Sequence, residues 1–310
     1  MLWPFSVNGV NMEERKYSSK IGCALFAMAA ATYIAQLCLA AYVYVFKSPI
    51  ASSRWFSAIL VIVGFYFCGL PVFWAMMKKT CLPEAYIEKS GEEKRLSWRK
   101  FPEIYVMCMG LGYIFSILGV LISSAVTAIT GNVTQNPVSQ MADISGFLPM
   151  VVLSGILAPL VEEIIFRKIL LKKTLIFGER AAVIFTSAAF ALVHMNLYQF
   201  FYAFVIGVIL GRTAILSGDI KYCIALHSAV NLTGSALMPF ISGLPAGGTV
   251  SLILMLFLIL GGVRLSRKHG ELLLSSDDSD CFWHPSRLYF NLGVGAYVLL
   301  CIAGFIYSVI

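Results

Sequence analysis

The chain has 310 residues, of which 59% are hydrophobic and only 13% charged, and its mean hydropathy is +0.83. Soluble domains carry about 25% charged residues, so no water-soluble fold could hide this apolar surface, and lipid must be the solvent for most of the chain. The net charge of +7 does not point to nucleic acid, because the basic residues lie between long apolar runs rather than on a soluble domain.

A span needs about 20 apolar residues to cross about 30 Å of hydrocarbon. Nine runs qualify as candidates: Ile21 to Phe46, Phe56 to Met77, Ile104 to Ile129, Phe147 to Arg167, Ala181 to Asn196, Tyr198 to Leu216, Ile220 to Phe240, Val250 to Val263 and Tyr289 to Ile310. The expected fold is therefore all-α, a polytopic transmembrane bundle of about eight or nine spans. The first run is too long for a signal-peptide core and reads as an uncleaved anchor. The fifth and sixth are almost contiguous and should form a tight hairpin. Pro149 and Pro159 should kink the fourth. Cys23, Cys38, Cys68, Cys108, Cys223 and Cys301 fall in apolar runs, and no CxxC pair occurs, so they read as buried, unpaired thiols.

With the N-terminus in the cytoplasm, all 23 Lys and Arg residues except Lys47 and Arg54 face inward, as the positive-inside rule demands. A multi-pass protein of the cell membrane is expected. The basic stretch Lys78 to Glu103, with Trp98, reads as a cytoplasmic loop, either solvated or lying on anionic headgroups. The acidic run Ser275 to Asp280 reads as a solvated loop, and Thr130 to Ser145 as external. Arg212 reads as a snorkelling interface residue. The organisation expected is residues 1–103 as tail, two spans and basic loop, 104–263 as core, and 264–310 as loop and last span.

Ionisable side chains inside a bilayer cost roughly 2.5–3.5 kcal/mol each on insertion scales, so those retained mark a site. Only Glu162 and Glu163 among the acids, and His194 and His227 among the histidines, fall within spans. Glu163 and Arg167 are four apart and in pairing order on a helix. Glu163 should then be ionised and structural, leaving Glu162, rotated about 100° away, free to face a cavity. Phe190 lies one turn from His194, and His227 one turn from Asn231. Counting from the span ends gives depths at which three helices can present these groups to one pocket opening toward the cytoplasm, with Glu162 roughly 9 Å from that end of its helix.

Such a set suits peptide hydrolysis. The carboxylate can act as base on water, and an imidazole and an amide can donate to an oxyanion. The same groups could instead hold zinc, although no HExxH occurs. Two further alternatives are a non-catalytic immunity or signalling scaffold that retains the pocket, and a proton-relay transporter.

The three motifs in this order, EExxxR (Glu162, Glu163, Arg167), FxxxH (Phe190, His194) and HxxxN (His227, Asn231), resemble the CAAX protease and bacteriocin-processing family. That family is also called CPBP or Abi and includes the type II CAAX prenyl endopeptidases. The resemblance covers roughly residues 104–263. It implies that Glu162 activates the water with help from His194, that His227 and Asn231 form the oxyanion hole, and that Glu163 and Arg167 support the site. It further implies a glutamate mechanism without metal, acting on a membrane-associated peptide or protein. It does not imply CAAX specificity.

Overall fold

The structure is a computed structural model, and it describes residues 7–53, 55–83, 96–132, 136, 147–273 and 281–309. Among these there is no strand, and nine long helices follow one another along the chain. They are α1 (Val7–Val45), α2 (Phe56–Lys78), α3 (Phe101–Thr130), α4 (residues 147–174), α5 (Glu179–Leu192), α6 (Leu197–Ser217), α7 (Ile220–Ser242), α8 (Gly247–Lys268) and α9 (Leu292–Tyr307). Six of them, α1, α2, α3, α6, α7 and α8, are long and apolar enough to cross a membrane. Residues 84–95 of the basic loop before Glu103, the acidic run from Ser275 and most of the loop after Thr130 lie outside the described residues.

Lipid offers no hydrophobic drive between helices, so close packing of small residues must hold the bundle together. At the α1–α9 crossing, a Cβ placed on Gly22 would stand 2.1 Å from the Val294 nitrogen, and one on Gly293 would stand 2.3 Å from the Ser19 carbonyl oxygen. At the α3–α8 crossing, Gly110 and Gly262 meet in the same way, each Cβ position lying 2.8 Å from the other residue's Cα. The outer faces carry exposed apolar side chains, such as Leu252, Leu256, Phe257 and Leu260 on α8. The Cys residues divide accordingly. Cys108, Cys223 and Cys301 are buried, whereas Cys23 and Cys38 are exposed on the outward surface of α1, which corrects the expectation that all six would be buried.

Three helices contain a wide turn just before a proline. Leu70, Ala158 and Met238 each donate their N–H to a carbonyl five residues back, on Phe65, Leu153 and Thr233, and each is followed by proline. A proline ring collides with the carbonyl four residues before it in a regular helix, and the wider turn relieves that collision. Pro159 therefore acts through the wide turn at Leu153–Leu157. A fourth wide segment, Ile164–Leu171, starts directly after Glu163 with no proline following.

The segments between helices gather the basic residues at one end of the bundle. There Tyr17 Oη donates to the Lys173 carbonyl (3.0 Å), Lys173 Nζ donates to the Thr80 carbonyl, and the Phe282 and Trp283 nitrogens donate to the Ile176 carbonyl. Leu96 N donates to the Leu216 carbonyl. Trp98 does not stand free in a loop: its ring lies 4.6 Å from that of Tyr222 and 5.8 Å from that of Phe101. Arg212 does not snorkel. It is buried, pairs with Glu179, and donates Nε to the Glu271 carbonyl at 2.8 Å. A guanidinium one helical turn inside the end finds an acid and a carbonyl within the protein, so it has no need to reach water.

Candidate active site

Helix α4 carries the paired carboxylates. It runs on past Arg167 to Thr174, because Arg167 is neutralised within the fold and the lysines that follow are at its basic end. Glu162 therefore lies roughly 18 Å from that end at ~1.5 Å per residue, deeper than the 9 Å expected. Glu163 is completely buried, and its Oε1 is 2.9 Å from Arg167 Nη1. A buried charge left alone would be untenable, and Arg167 has further partners. Its Nη2 donates to the Gly207 carbonyl of α6 (3.4 Å), and its guanidinium stacks on the Phe190 ring with 4.7 Å to the centroid, a favourable cation–π contact.

The same Glu163 oxygen also lies 2.8 Å from Nδ1 of His227 on α7. A carboxylate accepts and does not donate, so the His227 Nδ1 carries the proton and its Nε2 turns the other way. Nε2 is 3.7 Å from Glu162 Oε2, too far for a hydrogen bond. The Glu162 side chain keeps 17% of its surface exposed on the wall of a cavity. The adjacent carboxylates thus have separate surroundings. Glu163 is more than the structural partner of Arg167 that spacing suggested, because it also holds His227.

His194 lies just beyond the C-terminus of α5. Its Nδ1 donates to the Phe190 carbonyl at 2.8 Å, and since a carbonyl can only accept, the neutral ring carries its lone pair on Nε2. The turn bearing it is braced by Asn196, whose Nδ2 donates to the His194 carbonyl (2.8 Å) and to Gln199 Oε1 (2.6 Å), while its Oδ1 caps α6 by accepting from Gln199 N (2.9 Å). Met195 between them has φ 49°, a costly conformation for a side-chain-bearing residue that surrounding contacts must enforce. The Phe190 ring is the hub of the site, 5.1 Å from the His194 ring and 5.6 Å from that of His227, both edge-on.

Asn231 follows His227 by one turn. Its Nδ2 donates to the Ser154 carbonyl at 2.9 Å, inside the wide turn of α4, leaving the second amide hydrogen of that group for another acceptor. Ser154 Oγ donates to Ser235 Oγ (3.3 Å), which donates in turn to the Asn231 carbonyl (2.6 Å). The wide turns of α4 and α7 are therefore laced together beside the site. Asn196, Gln199, Tyr202 and Ser154 are polar residues that the sequence reading passed over. Asn196 to Tyr202 sit directly after His194, and that clustering in an apolar hairpin was the available signal.

Glu162, Phe190, His194, His227 and Asn231 all line one cavity of ≈ 640 Å³, within the range of ligand pockets. Its extent corrects the expected opening. The α5–α6 turn is level with Gly119, where a Cβ would stand 2.7 Å from the Leu197 carbonyl oxygen. Helix α3 continues beyond that level to Thr130, roughly 16 Å further. The hairpin thus stops short, and the cavity continues past it along the other walls, reaching Gln36, Ser57, Asn136 and Met150. On the basic side, Ile104, Ile165, Phe166, Phe177, Tyr222 and Leu226 are all within 1% of complete burial, so the floor is sealed. The pocket leads away from the basic end, not toward it.

The two free Nε2 atoms and Glu162 are donor types that zinc accepts, and the outer partners of both rings suit a ligand histidine. Among the described residues, however, no group of three His, Cys, Asp or Glu side chains is arranged to hold a metal ion.

Fold and site together define a multi-pass membrane protein with a carboxylate–imidazole–amide constellation inside the bilayer. Residues 144–233 match the family model described as "Type II CAAX prenyl endopeptidase Rce1-like", within the CAAX protease and bacteriocin-processing family that the three motifs resemble. The matched stretch contains all seven motif residues. No curated protein and no solved structure matches the chain.

Proposed function

We propose that the chain is an intramembrane endopeptidase in which Glu162 is the base. The observation that carries this reading is the contrast between two adjacent carboxylates: Glu163 is fully buried with its Oε1 held between Arg167 and His227, whereas Glu162 faces the cavity and, among the described residues, its nearest imidazole nitrogen is 3.7 Å away on His227. Glu162 takes a proton from water as the oxygen attacks the peptide carbonyl. His194, held by the Phe190 carbonyl, presents its Nε2 lone pair to the same water. The proton is then delivered to the leaving nitrogen as the C–N bond breaks, giving a free carboxylate and an amine.

His227 can serve the oxyanion only through Nε2, since Nδ1 is committed to Glu163. In the imidazolium form it donates from both nitrogens, and the Glu163 carboxylate compensates the charge. Asn231 supplies the second donor through its remaining amide hydrogen. Removing one such donor costs on the order of 10²–10³ in turnover in well-studied hydrolases. The substrate is a peptide segment of a membrane-associated protein, residues 104–263 form the peptidase core, and the N-terminus is cytoplasmic. Cleavage of a peptide library by the purified protein, absent in the Glu162→Gln variant, is the decisive test.

A further inference from the structure

We infer that the substrate is an uncharged stretch of polypeptide that reaches the site from the outer face of the membrane, through the cavity mouth formed by α1, α2 and the start of α4. This deepens the peptidase reading and rests on it for the chemistry, but the direction of access stands on separate observations.

The cavity has one closed end and one lined end. Below His227 and Glu162, core side chains of α3, α4 and α7 are packed to complete burial, among them Ile104, Phe166 and Leu226. Above them, the lining climbs each wall toward the opposite end of the bundle. On α1 it runs from Ala29 to Gln36, on α2 from Tyr66 to Ser57, and on α4 from Glu162 to Met150. Polar groups appear along this path where purely apolar residues would suit a lipid-filled gap. The sealed end is the one at which the basic segments converge, through the Tyr17–Lys173, Lys173–Thr80 and Trp283–Ile176 contacts. Basic segments mark the cytoplasmic side, so the route to the site begins on the other side.

The lining also selects. Among the described residues it contains tyrosines, serines, Gln36, Gln199 and Asn136, and beyond Glu162 and the two histidines it holds no Asp, Glu, Lys or Arg side chain. Hydroxyls and amides can pair with a peptide backbone, while along the path above Glu162 and the histidines no described side chain of the wall can neutralise a charge brought in from water. A lysine or aspartate in the middle of the segment should lower cleavage on the order of 100-fold, the factor that corresponds to bringing one charge into a bilayer interior.

Two measurements decide the matter. In intact cells, a membrane-impermeant maleimide is applied to chains carrying Ser57→Cys or Ser116→Cys, and modified sites are read by mass spectrometry of peptides. The native Cys81 and Cys281, next to the basic end, are internal controls. Labelling of the introduced thiols at positions 57 and 116 in intact cells, with Cys81 and Cys281 labelled only after permeabilisation, is expected. Labelling of position 116 from the same side as Cys81 overturns the direction of access. In the second measurement, an impermeant uncharged peptide is offered to right-side-out and to sealed inverted vesicles. Cleavage at least tenfold faster by the right-side-out vesicles is expected, and the reverse ratio overturns the inference. If detergent-solubilised protein cleaves no peptide of any charge, the peptidase reading and the substrate fall together, while the labelling still decides access.

Discussion

One oxygen of Glu163 joins two helices: Oε1 lies 2.9 Å from Arg167 Nη1 on its own helix and 2.8 Å from His227 Nδ1 on α7. Replacing Glu163 by glutamine leaves the Arg167 cation buried without its anion, a loss that costs about 3–5 kcal/mol when buried pairs are broken. The same change removes the anion that balances a charged His227. Glu163→Gln should therefore lower both the unfolding temperature and turnover. Adding Arg167→Met removes the orphaned cation and should restore much of the stability but little of the activity. A Glu163→Gln protein with parental melting and parental kcat would sink this account.

Glu162 contributes chemistry and little packing. Its carboxylate is on the cavity wall, without a close hydrogen-bond partner among the contacts described for it. Glu162→Gln should reduce kcat by roughly 10²–10⁴-fold, the range for loss of a general base, with an unchanged melting curve. Retention of activity would remove Glu162 from the mechanism.

The oxyanion role separates Asn231 from its neighbour Ser235. Both belong to the network that joins the wide turns of α4 and α7, but only Asn231 has an amide hydrogen to spare. Asn231→Ala should lower kcat about 10²-fold or more with a small change in KM, whereas Ser235→Ala should leave kcat close to parental. Equal losses for the two variants would assign Asn231 to scaffolding instead.

Zinc chemistry makes a different forecast. Activity should survive prolonged chelation, and elemental analysis of the active protein should find less than one zinc per chain. Stoichiometric zinc that is lost in His194→Ala or His227→Ala would install a metal-activated water in place of Glu162 as base.

The α1–α9 seam offers a controlled pair on one helix. A Cβ on Gly293 would stand 2.3 Å from the Ser19 carbonyl oxygen, while one on Gly295 would meet nothing within 4 Å. Gly293→Ala should destabilise by about 1–3 kcal/mol through overpacking, and Gly295→Ala should be neutral or stabilise by up to about 1 kcal/mol through helix propensity. Thermal unfolding in detergent measures both. Equal effects would show that α9 does not depend on this crossing.

The sequence by itself determined the solvent of this chain, its all-α class and the identity of the chemical groups. Those follow from local properties: apolar runs long enough to span lipid, and the rarity of Glu and His within them. It also located the Glu163–Arg167 pair, because partners four residues apart on one helix meet without help from the rest of the fold. Contacts between distant helices were not legible in this way. His227 reaches Glu163 from α7, and Asn231 reaches the Ser154 carbonyl only because a wide turn before Pro159 exposes it. Arg212 lies in a run that looks like a membrane interface, yet Glu179 and the Glu271 carbonyl take it inward. The direction of the cavity depended on the level at which the α5–α6 hairpin turns relative to α3, and on core packing beneath His227. Run lengths measure depth along single helices, but which end of a bundle is filled and which is hollow is decided only when the helices pack.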